Sequence, residues 1–269
     1  MTYKTVNNTA KNSANNTANN TANDIKNDNT HSSETITAAI WRGDERGQLV
    51  DFEIELRANQ TVLDVVTEVQ RSLEPTLAYR FACRVGVCGS CAMTVNGKPR
   101  WTCRTHVNNV LSADNRITIE PLRHLPLIKD LACDMEPFFR HWQRAGAVFE
   151  GTATRHDEIP GIGRDDPMRR VASEGIECIN CAVCYSACDV VGWNESYTGP
   201  AALNRVWTLV NDERQADRKG LLHKAFSDGA CGSCHSHGNC TRSCPIELNP
   251  SRSIAGLKRA SIFGVPKDQ

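Results

Sequence analysis

The sequence predicts an α+β chain in two unlike halves, a small strand-rich unit followed by a mainly helical one. Three observations lead there. Segments alternating apolar and polar residues run from Glu34 to about residue 124, helix-start signals replace them beyond residue 143, and thirteen cysteines fall into spaced groups.

Residues 1–33 repeat Asn, Thr and Ala with almost no large apolar side chain, so they cannot bury enough surface to offset the entropy of ordering. A disordered tail is predicted, with a protein-binding role as the alternative. Its Asn-x-Thr triplets at Asn7, Asn15 and Asn19 follow from composition alone. Next, "TITAAIW" and "VDFEIEL" read as two strands joined by a hairpin through Gly43 to Gly47, the second alternating at Val50, Phe52, Ile54 and Leu56. "TVLDVVTEVQRSL" places Val62, Leu63, Val66, Val69 and Leu73 on one helical face, with Thr61 as N-cap. In "CAMTVNGKPRWTC" the Asn96-Gly97 pair predicts a type I′ hairpin turn, and "RITIEPL" closes this unit as its last strand.

Domain boundaries are therefore expected at 34–124 for the strand-rich unit, 125–145 for a connector and helix, and 146–269 for the helical unit. Pro121 and Pro126 mark the connector; Asp134 is expected to cap a helix carrying Phe138, Phe139 and Trp142, with Pro137 in its first turn. Pro200 reads as the first residue of a helix bearing Leu203, Val206, Trp207 and Val210, and Asn249-Pro250 as the start of another with Ile254 and Leu257.

Lysines plus arginines equal aspartates plus glutamates at 31 each, so the basic stripe of a nucleic-acid binder is not expected. There is no apolar run long enough to span a bilayer, and the N-terminus carries neither a secretory signal nor an Arg-rich presequence. The expected location is the cytosol or the cytosolic face of a membrane. Thirteen cysteines in such a reducing compartment point to metal ligands rather than disulfides.

Cys83-x4-Cys88-x2-Cys91 followed by Cys103 has the plant-type spacing of a [2Fe-2S] cluster. Gly86 and Gly89 would let the backbone approach and aim N–H groups at the sulfurs, and Arg84 and Arg104 would add positive charge. A four-cysteine zinc knot is the alternative, although zinc sites favour paired C-x2-C units. Cys178, Cys181, Cys184 and Cys188 follow the bacterial ferredoxin run, in which the fourth cysteine serves the other cluster. Cys244, directly before Pro245, matches the distant fourth ligand for Cys178, Cys181 and Cys184; Cys188 would then join Cys234 and Cys240. Such an exchange would tie the helical half together through its clusters. Asp189 stands where the bacterial run has proline, and His237 stands where the "CHSHGNCTRSCP" segment would carry its second cysteine. Cys133 and Cys231 remain over and read as small buried thiols.

Three cluster motifs in this order, with "CRVGVCGSC", "CRTHV", "PLRHLPLIKDLACDM", "CINCAVCYSAC", "GPAALNRVW" and "CTRSCPIELNPSRSIAGLK", make residues 35 to 262 resemble the iron-sulfur subunit of succinate dehydrogenase and fumarate reductase. The resemblance implies a β-grasp plant-type ferredoxin domain followed by an all-α helical ferredoxin domain. It implies [2Fe-2S] on Cys83, Cys88, Cys91 and Cys103, [4Fe-4S] on Cys178, Cys181, Cys184 and Cys244, and [3Fe-4S] on Cys188, Cys234 and Cys240. It further implies a flavoprotein partner with FAD that interconverts succinate and fumarate, and membrane-anchor partners, often with haem b, that hold quinone. No dicarboxylate site is expected on this chain. The family's quinone-pocket residues match Trp193, His235 and Lys258. Three cysteines leave one corner of a cubane without iron, yet histidine can ligate iron; a [4Fe-4S] cluster with His237 bound is the alternative for the last site. An electron-transfer subunit of another flavoenzyme and a zinc-stabilised binding module are the rival functions. Direction of the reaction, quinone type and anchor number do not follow from the sequence.

Overall fold

Alternating side chains in the first two strands build the edge of a five-stranded sheet. In the computed structural model, which describes residues 34–158, 161–227 and 229–264, β1 (Thr35–Arg42) pairs antiparallel with β2 (Gln48–Glu55), setting Ile36 opposite Ile54. The tail at 1–33 and its triplets lie outside the described residues. Sheet order is β2-β1-β5-β3-β4, with β3 (Ala92–Val95), β4 (Lys98–Trp101) and β5 (Arg116–Glu120). The central β1–β5 pair is parallel, and the chain between these two strands supplies the other three strands of the sheet and carries the first cysteine loop. The β3–β4 turn is as expected, with Asn96 at φ 47° and Gly97 at φ 73°.

Helix α1 (Val62–Glu68) covers the sheet, and a capping box between Thr61 and Asp64 satisfies its first N–H groups. Val62, Val65 and Val66 pack with Ile36, Ile40, Met93, Ile117 and Ile119 in the core of this half. The expected apolar face breaks at its end. Val69–Leu73 winds as a π turn, which advances the register, and Leu73 is 51% exposed rather than buried.

The connector holds a second, two-stranded sheet, β6 (Leu127–Lys129) and β7 (Ala132–Cys133), not expected from its prolines. At its turn the fully buried Asp130 carboxylate accepts hydrogen bonds from Arg42 Nη1 (2.7 Å), Gly43 N (2.7 Å) and Ala78 N (2.8 Å). One carboxylate thus pins the end of β1, the connector and the segment entering the cysteine loop. Helix α2 (Glu136–Ala145) starts one residue later than expected: Met135 is the N-cap, and Asp134 from just outside accepts the Glu136 N–H at 2.9 Å. Of its aromatic residues Phe138 is buried, Trp142 is half-buried and Phe139 is 47% exposed.

Among the described residues no strand follows β7; the rest is helix and loop. The helices are α3 (Pro167–Ile176), α4 (Val183–Ser186), α5 (Asp189–Trp193), α6 (Pro200–Val210), α7 (Arg218–Lys224), α8 (Asn239–Arg242) and α9 (Pro250–Phe263). Both proline-initiated helices stand where expected. α6 and α9 pack together through Leu203, Val206, Ile254 and Leu257, and buried Ser253 donates to Asn204 Oδ1 at 2.8 Å across the pair. The two halves form one compact unit, with Arg123 N donating to Ser186 Oγ at 2.8 Å across the seam. No helix among the described residues is long and apolar enough to cross a membrane.

Candidate iron-sulfur sites

The first cysteine group lies on a loop that curls because three of its residues adopt left-handed backbone: Arg84, Gly86 and Gly89, at φ 60°, 79° and 71°. This curl turns backbone N–H groups inward. Val85 N and Val87 N each approach Cys83 Sγ at 3.4 Å, while Cys83 N and Ser90 N each approach Cys88 Sγ at 3.5 Å. These N–H groups, Val87 first, draw the Cys83 thiol down to about 6. Cys91 enters β3 and Cys103 follows β4, so the hairpin that pairs Ala92 with Trp101 sets the two buried thiols side by side. Burial, reinforced by the adjacent Cys91, pushes Cys103 up to about 12. Of the two arginines expected there, Arg104 lies against the loop, its Nη2 donating to Val85 O at 3.2 Å, whereas Arg84 reaches the Phe81 ring, 4.9 Å to the centroid, and donates to Thr67 Oγ1 of α1 at 3.4 Å.

In the helical half, Cys178, Cys181, Cys184 and Cys244 line one small cavity, walled by Ala182, Ala201 and Pro245. Sequence neighbours and a residue 60 positions away therefore share one space. Burial pushes the Cys181 thiol up to about 12, and burial with the nearby Cys181 and Cys178 raises Cys184 well above its ordinary value. Cys178, Cys181 and Cys184, raised chiefly by burial, resist ionising on their own, and positively charged iron supplies what thiolates there need. This donor set fits an iron-sulfur cage. Among the described residues no three Cys, His, Asp or Glu side chains close on a point as single-ion ligands would; the four thiols instead ring a space.

Cys188 does not line that cavity. Its neighbours by charge are Cys240 and Cys234, and it receives the N–H groups of Val191 and Val190 at the start of α5. Cys234 Sγ accepts from Ser236 N at 3.4 Å, and Cys240 Sγ lies 3.3 Å from Ser251 Oγ. Were Cys240 ionised as a ligand it could only accept, and Ser251 would be the donor. Tyr197, only 1% exposed, completes the group: burial first, and then the thiols of Cys234 and Cys188, raise its hydroxyl far above the ordinary value. Tyr197 stands outside the motifs, and nothing in the motif that contains Ser251 singles it out; each reaches the cysteines through packing of the fold.

The residues expected near quinone gather beside this third group. Trp193 is 62% exposed, its ring centroid 5.4 Å from His235, and Lys258 Nζ donates to Cys234 O at 2.7 Å from α9. The His237 ring lies 5.9 Å from His235 and directs Nδ1 to the Asp189 carboxylate at 3.7 Å. Asp189 in turn accepts from Asn239 Nδ2 at 3.2 Å. The two departures from the usual ferredoxin run thus contact each other. Cys133 and Cys231 are buried; Cys133 Sγ points to Leu122 O at 3.6 Å, and burial pushes the Cys231 thiol up to about 11.

Comparison with known proteins agrees with this geometry. Residues 37–140 match a 2Fe-2S iron-sulfur cluster binding domain, and residues 177–249 match a 4Fe-4S dicluster domain. The chain is 34% identical over 241 residues to the mitochondrial succinate dehydrogenase [ubiquinone] iron-sulfur subunit 1 of Oryza sativa subsp. japonica, covering 86% of this chain and 83% of the relative. It is 36% identical over 214 residues to the fumarate reductase iron-sulfur subunit of Mycobacterium tuberculosis, covering 77% and 83%. A chain of the Mycobacterium smegmatis Sdh1 complex in the apo form superposes with TM-score 0.76 at 25% identity, covering 88% of this chain and 100% of that one. A β-grasp-like sheet carrying the plant-type loop, a helical half with two crossed cysteine sets, and relatives matched over most of their length lead to one family. The chain is a member of the iron-sulfur subunits of succinate dehydrogenase and fumarate reductase.

Proposed function

We propose that this chain carries single electrons between the FAD of a flavoprotein subunit and membrane quinone, as the iron-sulfur subunit of a succinate dehydrogenase or fumarate reductase complex. The observation that carries the reading is the crossed ligand set: Cys244 shares a cavity with Cys178, Cys181 and Cys184, while Cys188 stands with Cys234 and Cys240. It supports [4Fe-4S] on the first four and [3Fe-4S] on the last three, with [2Fe-2S] on Cys83, Cys88, Cys91 and Cys103. Such clusters exchange one electron at a time, which suits a link between a two-electron flavin and quinone.

The protein's own part is to hold thiolates, to aim N–H and O–H groups at sulfur, and to limit water. Peptide N–H groups serve Cys83 and Cys88; Ser251 serves Cys240. At the quinone end Trp193 offers an exposed aromatic face, His235 an edge against it, and Lys258 a cation held by Cys234 O. The contact of His237 with Asp189 speaks for an imidazole at the rim of the site rather than a fourth iron ligand. The complex would sit at the cytoplasmic side of the cell membrane through its anchor subunits, haem-bearing or not, with this chain peripheral.

Electron paramagnetic resonance of the oxidised and dithionite-reduced complex tests the assignment. A [3Fe-4S] signal in the oxidised state that persists when iron is supplied, with reduced [2Fe-2S] and [4Fe-4S] signals, is the expected result. Cys234→Ser should abolish quinone-linked turnover yet spare succinate oxidation by an artificial flavin acceptor. Quinone turnover surviving that change would overturn the proposed terminal cluster. The flavoprotein that co-purifies separates this reading from service to another flavoenzyme.

A further inference from the structure

The loops of the first and second sites touch at a glycine. Gly89 lies between Cys88 and Cys91, and a Cβ built on it would fall 2.6 Å from Ile179 O, 2.9 Å from Cys181 Cα and 3.0 Å from Cys181 Cβ. Main chain of one ligand loop is thus pressed against main chain of the other. Beside the contact the seam opens into a cleft lined by Cys88, Gly89 and Ser90 of the first loop and by Asn180 and Cys181 of the second, together with connector residues such as Leu131 and Met135. The packed route between these two ligand sets therefore runs through Gly89 and the Cys181 backbone.

We propose that Gly89 is a positioning residue for electron transfer between the first and second clusters, fixing their separation by admitting the Cys181 backbone to contact; the inference rests on the ligand assignment above. Electron tunnelling falls steeply with distance and is weaker across empty space than through packed or bonded atoms. A methyl group at this position cannot be absorbed by a flexible side chain, because the atoms it meets are main chain and the Cβ of a ligand. One ligand loop must move away from the other. When both loops are fastened to iron, the separation of the clusters changes with them.

Gly97 provides the control, since it has the same left-handed backbone (φ 73°) and lies in the first half, at the tip of the β3–β4 turn and outside the cysteine loop. A Cβ there would have Arg123 Nη2, at 3.5 Å, as its nearest neighbour. Gly97→Ala strains the first half without touching either ligand loop.

The test uses the assembled complex. In Gly89→Ala the relaxation enhancement of the reduced [2Fe-2S] signal by the reduced [4Fe-4S] cluster should weaken, and the inter-cluster rate after rapid-freeze reduction should fall several-fold, with iron content unchanged. Gly97→Ala should keep wild-type values of both. Wild-type relaxation and rate in Gly89→Ala, or an equal loss in Gly97→Ala, would overturn the proposal. Should Gly89→Ala fail to load its cluster, Asn180→Gly carries the test, because it frees the left-handed residue (φ 54°) between Ile179 and Cys181 and leaves the first loop intact. Weakened coupling is then expected, and unchanged coupling would refute the proposal. An error in the ligand assignment would appear separately, as missing [2Fe-2S] or [4Fe-4S] signals in the wild-type complex.

Discussion

The two halves hold their cysteines by opposite means. In the first, the ligand loop is local and open: Val85 and Val87 are 55% and 65% exposed, and backbone N–H groups do most of the polarising. The sheet beneath has its own apolar core, to which the loop contributes little. In the second, Cys184 and Cys240 belong to the hydrophobic core itself, and each ligand set joins segments far apart in sequence. A cluster in the first half decorates a fold, whereas clusters in the second are part of one.

The largest expected effect follows from that contrast. Removing iron by chelation under reducing conditions should leave the slow-exchanging amides of β1, β5 and α1 protected while α4, α8 and the first turn of α9 lose protection, as hydrogen exchange would read. Equal loss in both halves would contradict the comparison. Cys244→Ser should reproduce the helical loss alone, because it opens the set that spans 178 to 244.

A smaller effect separates charge pairs in the helical half from those on the sheet. Asp212 is almost fully buried and accepts from Arg214 Nη2 at 2.8 Å and pairs with Arg169 Nη1 at 3.1 Å. Burial alone would raise its carboxyl, but the hydrogen bonds from Arg214 and Arg169 prevail and hold it at about 2 against an ordinary 3.8. A depressed folded value stabilises the fold above the ordinary value and is lost as pH falls through the folded one. Helical-half stability should therefore decline between pH 3.8 and about 2. Asp212→Asn leaves the buried Arg169 guanidinium with Glu213, at 3.3 Å, as its remaining carboxylate partner and should cost about 2 kcal/mol in denaturant unfolding of the complex.

The cluster-binding domains were legible in the sequence because cluster chemistry constrains cysteine spacing directly: Cys83 to Cys91 and Cys178 to Cys188 must each turn within a few residues. Strands and proline-started helices were legible for a similar local reason, in the alternation of β1 and the Pro200 and Pro250 starts. What escaped depends on contact between distant segments. Nothing in "IELNPSRSI" says that Ser251 will reach Cys240, and Tyr197 is one aromatic among several until the fold buries it. The sheet β6–β7 is two short strands held by Asp130, a polar hub that periodicity does not register. Exposure of Leu73 follows from a π turn, which helical spacing cannot anticipate.

Ser251 sharpens the comparison at a finer scale. Hydroxyl donation to a ligand sulfur stabilises the more negative, reduced cluster, so Ser251→Ala should lower the midpoint potential at Cys188, Cys234 and Cys240. The first cluster takes its hydrogen bonds from main chain and should keep its potential in the same variant. Potentiometric titration followed by paramagnetic resonance reads both at once; a shift of the two together would mean a general change rather than a bond lost at Cys240.

The smallest effect lies on the sheet surface, where Arg116 makes a two-pronged pair with Asp51 at 2.7 and 2.8 Å. The hydrogen bond from Arg116 lowers the Asp51 carboxyl, yet the aspartate is open to solvent and salt screens the attraction. By geometry this pair equals those around Asp212; by environment it does not. Asp51→Asn should therefore leave the denaturation midpoint of the complex essentially where it was, and raising salt should mimic the substitution. If Asp51→Asn destabilised the protein as much as Asp212→Asn does, burial would not be what divides the two halves.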